Sequence, residues 1–242
     1  MKSYRMTAVL AAATLALTVP VTGWAATFKA ALTELNGSGV SGSVIFDVDR
    51  TANTLRARAE IFGLTPDRLH VNHIHGRFND DGTPRDSILP TMDLDDDGDG
   101  FVEVLEAAPN YGDILLSLEP ALALPDPDPS AVHSGPFADA SGVLRYDLLF
   151  DLTDDSIFFS PVLGNDYTSA DIFPLHLREY VIHGLIVPGG IDPSAPDGGF
   201  VATMPVAAAE ISPVPLPGAA GLLLLGLSGM GILGRRRMKR PA

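Results

Sequence analysis

Apolar and polar residues alternate over residues 42–48, Gly-Ser-Val-Ile-Phe-Asp-Val, and over residues 55–62, Leu-Arg-Ala-Arg-Ala-Glu-Ile-Phe. A period of two is the signature of a strand with one face in a core. Residues 69–75, Leu-His-Val-Asn-His-Ile-His, alternate in part, and residues 114–118, 143–152, 179–186 and 200–211 are further strand candidates. Clusters of Gly, Pro, Asn and Asp at 36–39, 80–84, 125–130 and 189–199 separate them. Many short strands, frequent turn signals and no long amphipathic helix predict an all-β sandwich with long loops over residues 26–211. There is no internal repeat, and Pro-Asp-Pro-Asp-Pro-Ser at 125–130 reads as a stiff loop.

Both ends break this pattern. Lys2 and Arg5 precede an uncharged, largely apolar run at residues 8–21, followed by the small-residue context Gly23-Trp24-Ala25. That order predicts a signal peptide over residues 1–25, recognised by the secretion machinery; a buried N-terminal helix is the plainer alternative. At the other end, Val214, Pro215, Leu216 and Pro217 lie in a Pro-rich stalk at 212–217. A charge-free stretch at 218–234 follows, at the lower limit of length for a membrane helix, and then a basic tail at 235–242 that holds Arg235, Arg236 and Arg237. The positive-inside rule leaves the tail cytoplasmic and the rest outside.

The sequence Val-Pro-Leu-Pro, an apolar helix and terminal arginines together resemble the PEP-CTERM type of sorting tail, in its VPLPA-CTERM variant, although Gly218 stands where Ala belongs. The resemblance implies an exosortase-type membrane transpeptidase as partner and a Gram-negative bacterial host. It also implies an inner-membrane anchored intermediate that passes to the cell surface or extracellular matrix. A simple single-pass anchor is the other reading.

Charge narrows the partners. The chain has 16 Lys+Arg and 30 Asp+Glu, a net charge of −14. The two terminal segments hold seven of the cations and no acid, so the remainder carries nine cations against all 30 acids, a net −21. Such a surface repels nucleic acid and anionic lipid and attracts divalent cations. With no cysteine, there is neither a disulfide nor a thiolate ligand.

Residues 95–106 match a twelve-residue EF-hand calcium loop. Asp95, Asp97 and Asp99 fill positions 1, 3 and 5, and Gly100 is the turn at 6. Phe101 offers a carbonyl at 7, Glu103 acts through water at 9, and Glu106 is the bidentate carboxylate at 12. The spacing lets alternate residues point hard oxygens at one Ca²⁺. Pro90 before the loop and Pro109-Asn110 after it allow only one short helix of about two turns. A merely solvated acidic loop is the plainer reading.

Three of six histidines fall near 69–75. Residues two apart on a strand share a face, so His73 and His75 are expected to point together and His70 away, and a His-x-His pair can converge on one transition metal. His183 lies in another strand candidate. On spacing alone, cross-strand hydrogen bonding without a metal is the favoured explanation of such histidines.

Leu-His-Val-Asn-His-Ile-His-Gly at 69–76, preceded by Gly63-Leu64, resembles the CHRD domain, a β-sandwich of secreted proteins without a settled activity. The same His-x-His is similar to the copper strand of Cu/Zn superoxide dismutases. Arg-Glu-Tyr-Val-Ile-His at 178–183 is similar to a second copper strand, His133-Ser-Gly-Pro-Phe to a zinc-loop piece, Gly142-Val-Leu to the strand that follows, and Val-Ala-Ala-Ala-Glu-Ile at 206–211 to the dismutase ending. These resemblances imply a Greek-key-like β-sandwich holding one copper or zinc through His73, His75 and His183, with His133 as a fourth ligand. The dismutase disulfide, the second zinc histidine and aspartate, and the catalytic arginine have no counterpart, because no Arg lies between Arg178 and Arg235. The sequence thus leads to an exported, surface-sorted, non-enzymatic protein stabilised by calcium, with a copper superoxide dismutase-like enzyme as the alternative.

Overall fold

A computed structural model of the chain describes residues 25–125 and 136–215. The expected signal and membrane helices, Leu216, Pro217, Arg235, Arg236, Arg237 and His133 lie outside the described residues. Among those described, no helix is long and apolar enough to cross a membrane. The strands are β1 (Ala25–Ala31), β2 (Thr33–Glu34), β3 (Ser41–Asp49), β4 (Thr54–Phe62), β5 (Asn72–Phe78), β6 (Pro84–Arg85), β7 (Asp113–Ser117), β8 (Leu144–Asp151), β9 (Glu179–Pro188) and β10 (Gly198–Pro213). One α-helix, α1 (Val104–Tyr111), precedes β7.

All strand pairings are antiparallel, in the order β6-β5-β9-β10-β1-β3-β4-β8, with β7 also on β5 and β2 on β10. The ladder folds over at the β1–β10 junction, where Ala30 pairs with Ile211. Two layers result, β1-β3-β4-β8 and β10-β9-β5-β7, and the main core lies between them. Phe46, Leu55, Ile61 and Phe150 from the first layer share it with Ile74, Tyr180 and Ile182 from the second. The rings of Phe46 and Tyr180 meet at 6.4 Å. The protein is therefore all-β and sandwich-like.

Strand β4 shows why the pattern works. Leu55, Ala57, Ala59 and Ile61 are buried while Arg56, Arg58 and Glu60 face solvent. Each large apolar side chain removed from water is worth about 1.5–3 kcal/mol. The outward residues pair across strands, Arg56 with Asp147 at 2.6 Å, Arg145 with Glu60 at 2.9 Å, and Arg58 with Asp47. Exposed pairs of this kind contribute only ~0.2–1 kcal/mol each, so they fix register more than stability.

The second layer is covered on both sides, and this creates the candidate site. On β5 and β9, Ile74, Tyr180 and Ile182 face the main core, while His73, His75 and Val181 face outward by strand alternation. The outward face packs under the 95–106 loop and α1 as a second small core of Leu35, Val102, Ala107, Tyr111, Val181 and Ala208. The Asn36 amide clamps this cover. It accepts from Val102 N at 2.7 Å and donates to the carbonyls of Val102 at 3.0 Å and Pro205 at 2.9 Å.

Three expectations change. Strand β5 begins at Asn72, so His70 precedes the strand instead of alternating within it. The helix runs through Pro109 to Tyr111 and ends at Gly112, because Gly112 donates back to Ala108 O at 2.8 Å and carries the left-handed turn, φ 89°. Strand β10 extends to Pro213 and Val214 N still bonds Thr27 O at 2.8 Å, so the sheet takes in the start of the expected stalk.

Candidate metal centres

Strands β5 and β9 pair with His73 opposite Val181 and His75 opposite Glu179, which puts His183 diagonally next to His73 on the same face. One ring nitrogen from each of His73, His75 and His183 lies within 4.8 Å of the others. All three residues are buried. The ring centroids are 5.4 Å apart for His73 with His75 and with His183, and 6.1 Å for His75 with His183.

The hydrogen bonds divide the ring nitrogens into two kinds. His75 Nδ1 lies 3.1 Å from the carbonyl of Gly112, and His183 Nδ1 lies 2.7 Å from the carbonyl of Thr203. A carbonyl can only accept, so each of these nitrogens carries the proton. That leaves His75 Nε2 and His183 Nε2 as lone pairs. Those two atoms and His73 Nδ1 are buried and have no hydrogen-bond partner among the described residues. Buried polar atoms are normally paired, and three orphans in one cluster fit a group that accepts three lone pairs at once.

Electrostatics points the same way. Burial drives the His73 imidazole well below its ordinary range, helped by His183 and His75. Burial and then His183 hold His75 at about 3 against the opposing pull of Gly112 and Asp113, and burial holds His183 at about 4. Neutral imidazoles are the form that binds a metal. His70, expected to point away, instead supports the site from behind. Its Nδ1 lies 2.9 Å from the carbonyl of His183 and its Nε2 3.0 Å from that of Thr65. Gly184 makes room for this ring: at φ 113° an added Cβ would meet His70 Nδ1 at 2.6 Å.

The triad opens on a cavity of about 270 Å³. Val104, Leu105 and Ala108 of α1 form one wall, and Val162 and Leu163 form another. Asp113 fixes the second wall, taking hydrogen bonds from Ser160 at 2.6 Å, Asn165 at 2.9 Å and Tyr167 at 2.7 Å. Burial alone would raise its carboxyl, but these donors outweigh burial and hold it low.

Asp95, Asp97 and Asp99 form the second group, with carboxylate oxygens within 4.8 Å of one another. Asp95 accepts from the amides of Gly98, Asp99 and Gly100 at 2.8, 3.1 and 2.9 Å, which winds the loop around it. Phe101 N bonds Asp99 at 2.8 Å. Glu103 and Glu106 are not among these three, although Glu106 is bonded to the same loop. They form a capping box at the start of α1, with Glu106 accepting from Glu103 N at 3.0 Å and from Asp96 N at 2.8 Å. Burial and the adjacent Glu106 push Glu103 up to about 8, while Glu103 and the backbone amides hold Glu106 low. Both groups could hold a metal ion. Comparison with known proteins finds no matching family model and no matching curated relative.

Sequence reading missed Gly112, Thr203, Tyr111 and Asp113. The first two act through carbonyls, which leave no mark in residue type. Glu179 was also missed. Burial, then Glu210 and Asp86, push its carboxyl up to about 8.

These shifts give a signed pH dependence. His75 and His183 have folded values below 6.5, so the unfolded chain takes up more protons as pH falls. Metal-free protein therefore loses stability as pH falls from about 6.5 to about 3. Glu179 acts oppositely: its folded value exceeds 4.5, so its contribution declines as pH rises from 4.5 towards 8. Glu103, also pushed up to about 8, acts in the same direction as Glu179. Urea unfolding of a metal-free Glu103→Gln/Glu179→Gln variant, which lacks both opposing effects, is therefore expected to show a lower midpoint at pH 5 than at pH 7.5. Equal midpoints would contradict buried neutral histidines.

Proposed function

We propose that this chain is an exported, surface-sorted, CHRD-like domain protein of a Gram-negative bacterium, non-enzymatic, which holds one copper or zinc through His73, His75 and His183. The observation that carries the reading is the set of three buried ring nitrogens without partners, two of them on rings oriented by main-chain carbonyls. Zinc takes three protein ligands where one coordination position stays open, and copper suits imidazole equally. Titration of the chelator-stripped chain with zinc is expected to show one equivalent bound with the three histidines present. His183→Ala should weaken that binding by more than about 100-fold, since loss of a supporting contact alone typically costs 10–100-fold. Unchanged affinity would overturn the assignment.

Calcium at residues 95–106 is proposed as a structural ion that ties the acidic loop over the second layer. Asp95, Asp97 and Asp99 supply the cluster, and Glu106 would turn from its capping role to the ion. Glu106→Gln separates the two roles, because glutamine still serves a capping box. The variant is expected to melt like its parent without calcium and several degrees lower with it. Identical melting in calcium would contradict a calcium role.

Export and sorting rest on the terminal segments: the secretion machinery, an exosortase-type transpeptidase and the membrane are the proposed partners. Replacing Arg235, Arg236 and Arg237 with serine is expected to leave unprocessed or misoriented precursor, read by accessibility of the domain to external protease. Normal processing would count against the sorting tail.

A copper superoxide dismutase is the second reading, favoured by the cavity that leaves the triad accessible. Superoxide steering needs positive potential at the metal. The cavity lining holds no Lys or Arg among the described residues, and Arg178 is locked in the interior. Superoxide decay no faster than free-copper controls is the expected result.

A further inference from the structure

The cavity above the histidines has a chemical character of its own. Its floor is His73, His75 and His183, and its walls are mostly aliphatic side chains of α1 and the 160–165 loop, with Tyr111 and Thr203 also in the lining. At the mouth, Leu105 is 87% exposed, Val162 69% and Leu163 67%. Large apolar side chains so open to water, and grouped around one cavity, mark a surface that gains by being covered. The cavity lining holds no Lys or Arg among the described residues. Its one charged residue, Asp113, is negative and already saturated by Ser160, Asn165 and Tyr167. Among the described residues, an anion therefore meets no cation here other than a bound metal, and an ammonium group finds no free carboxylate. Both walls are held in place, α1 by its capping box and Asp113 beneath the loop, so the cavity is preformed.

We propose that this cavity binds a small uncharged ligand with an apolar body and one lone-pair donor atom, which reaches the metal at the triad. The proposal rests on the triad holding a metal, and it names what the open position takes. The volume of about 270 Å³ admits a ligand of roughly ten non-hydrogen atoms, since a water-sized unit occupies ~30 Å³. The aliphatic walls receive the body and the metal receives the lone pair. No covalent or redox step is involved.

The test loads the chelator-stripped full chain with cobalt(II), whose visible bands respond to a change of ligand. Three probes are titrated at pH 8: 4-phenylimidazole (apolar body and donor), imidazole (donor alone) and azide (anion). The bands are expected to shift with 4-phenylimidazole at a Kd about ten-fold or more below that of imidazole, with azide weaker still. A Leu105→Ser/Leu163→Ser variant, altered at exposed positions that do not threaten folding, should lose about five-fold or more of the 4-phenylimidazole affinity. Its affinity for cobalt and imidazole should be unchanged. Azide binding more tightly than 4-phenylimidazole, equal affinity for the two imidazoles, or no effect of the double variant would each overturn the ligand class while leaving the metal in place. Cobalt that fails to bind, or binds equally well to His73→Ala/His75→Ala, would remove the metal and the ligand site together.

Discussion

Replacing Gly112 with alanine is expected to damage fold and triad together. Gly112 ends α1 at φ 89°, and an added Cβ would meet Gly76 O at 2.1 Å and Arg77 Cγ at 2.8 Å. The first is main chain of β5 and cannot rotate away, so the junction of α1 and β7 must move off β5. That junction presents the carbonyl that orients His75. Left-handed strain costs ~1–3 kcal/mol and overpacking a similar amount, so a loss of about 3 kcal/mol or more is expected. Zinc affinity should fall by about 10–100-fold, as when other orienting contacts to metal ligands are removed. Gly190→Ala is the control. It has φ 91° but nothing within 4 Å, so it should cost only the backbone strain and leave zinc binding intact. Equal effects of the two substitutions would show that the close approach to Gly76 does not matter.

Arg178→Ala should be the most destabilising change away from the triad. The side chain is wholly buried, and its guanidinium donates to the carbonyls of Asp171 at 2.7 Å, Arg77 at 3.2 Å, and Arg85 and Leu177 at 3.4 Å. It lies 5.0 Å over the Phe78 ring. One residue thus ties the 171–178 approach to β9 to both β5 and β6. Alanine leaves those carbonyls buried without a donor and opens a void, for a combined cost of about 3–5 kcal/mol. For a domain of this size that lowers Tm by about 10 °C. Arg178→Lys should recover only part of the loss, because an ammonium lacks the planar fork that reaches carbonyls on several segments. A shift of only one or two degrees for the alanine variant would mean that the guanidinium contributes little.

Legibility in the sequence followed burial. Strands β3, β4 and β8 have one face in the core, and their alternation is visible in the residues. Strand β9 is buried on both faces over Glu179–Gly184, and β5 over Asn72–Gly76. Alternation disappears there, which is why the start of β5 was placed too early. Strand β1 is short, rich in alanine and carries Lys29, and nothing in its pattern separates it from the apolar run before it. The helix survived Pro109 because the proline sits near its end, where few main-chain bonds remain to be lost. The His73 and His75 pair was readable because strand spacing puts both on one face, whereas His183 joined them only through the copper-strand resemblance. The supports of the triad were not, since Gly112 and Thr203 act through main chain and Asp113 through partners 47–54 residues away. Arg178 entered as part of a copper-strand resemblance, yet its side chain is turned into the interior and serves the fold.

The loop at 95–106 is expected from its spacing to be a ligand set, and in the structure its members serve two purposes. Three aspartates converge, while Glu103 and Glu106 cap the helix that walls the cavity. The same helix start thus belongs to the loop's acidic set and to the wall above the triad.

The most direct measurement is elemental analysis of the full chain, purified without chelators after export to a calcium-replete periplasm, beside its His73→Ala/His75→Ala variant. The account predicts close to one equivalent of copper or zinc in the parent and a small fraction of that in the variant. The same trace level in both, with the variant folded, would contradict a metal at the triad and leave the three histidines as structural residues of the sheet.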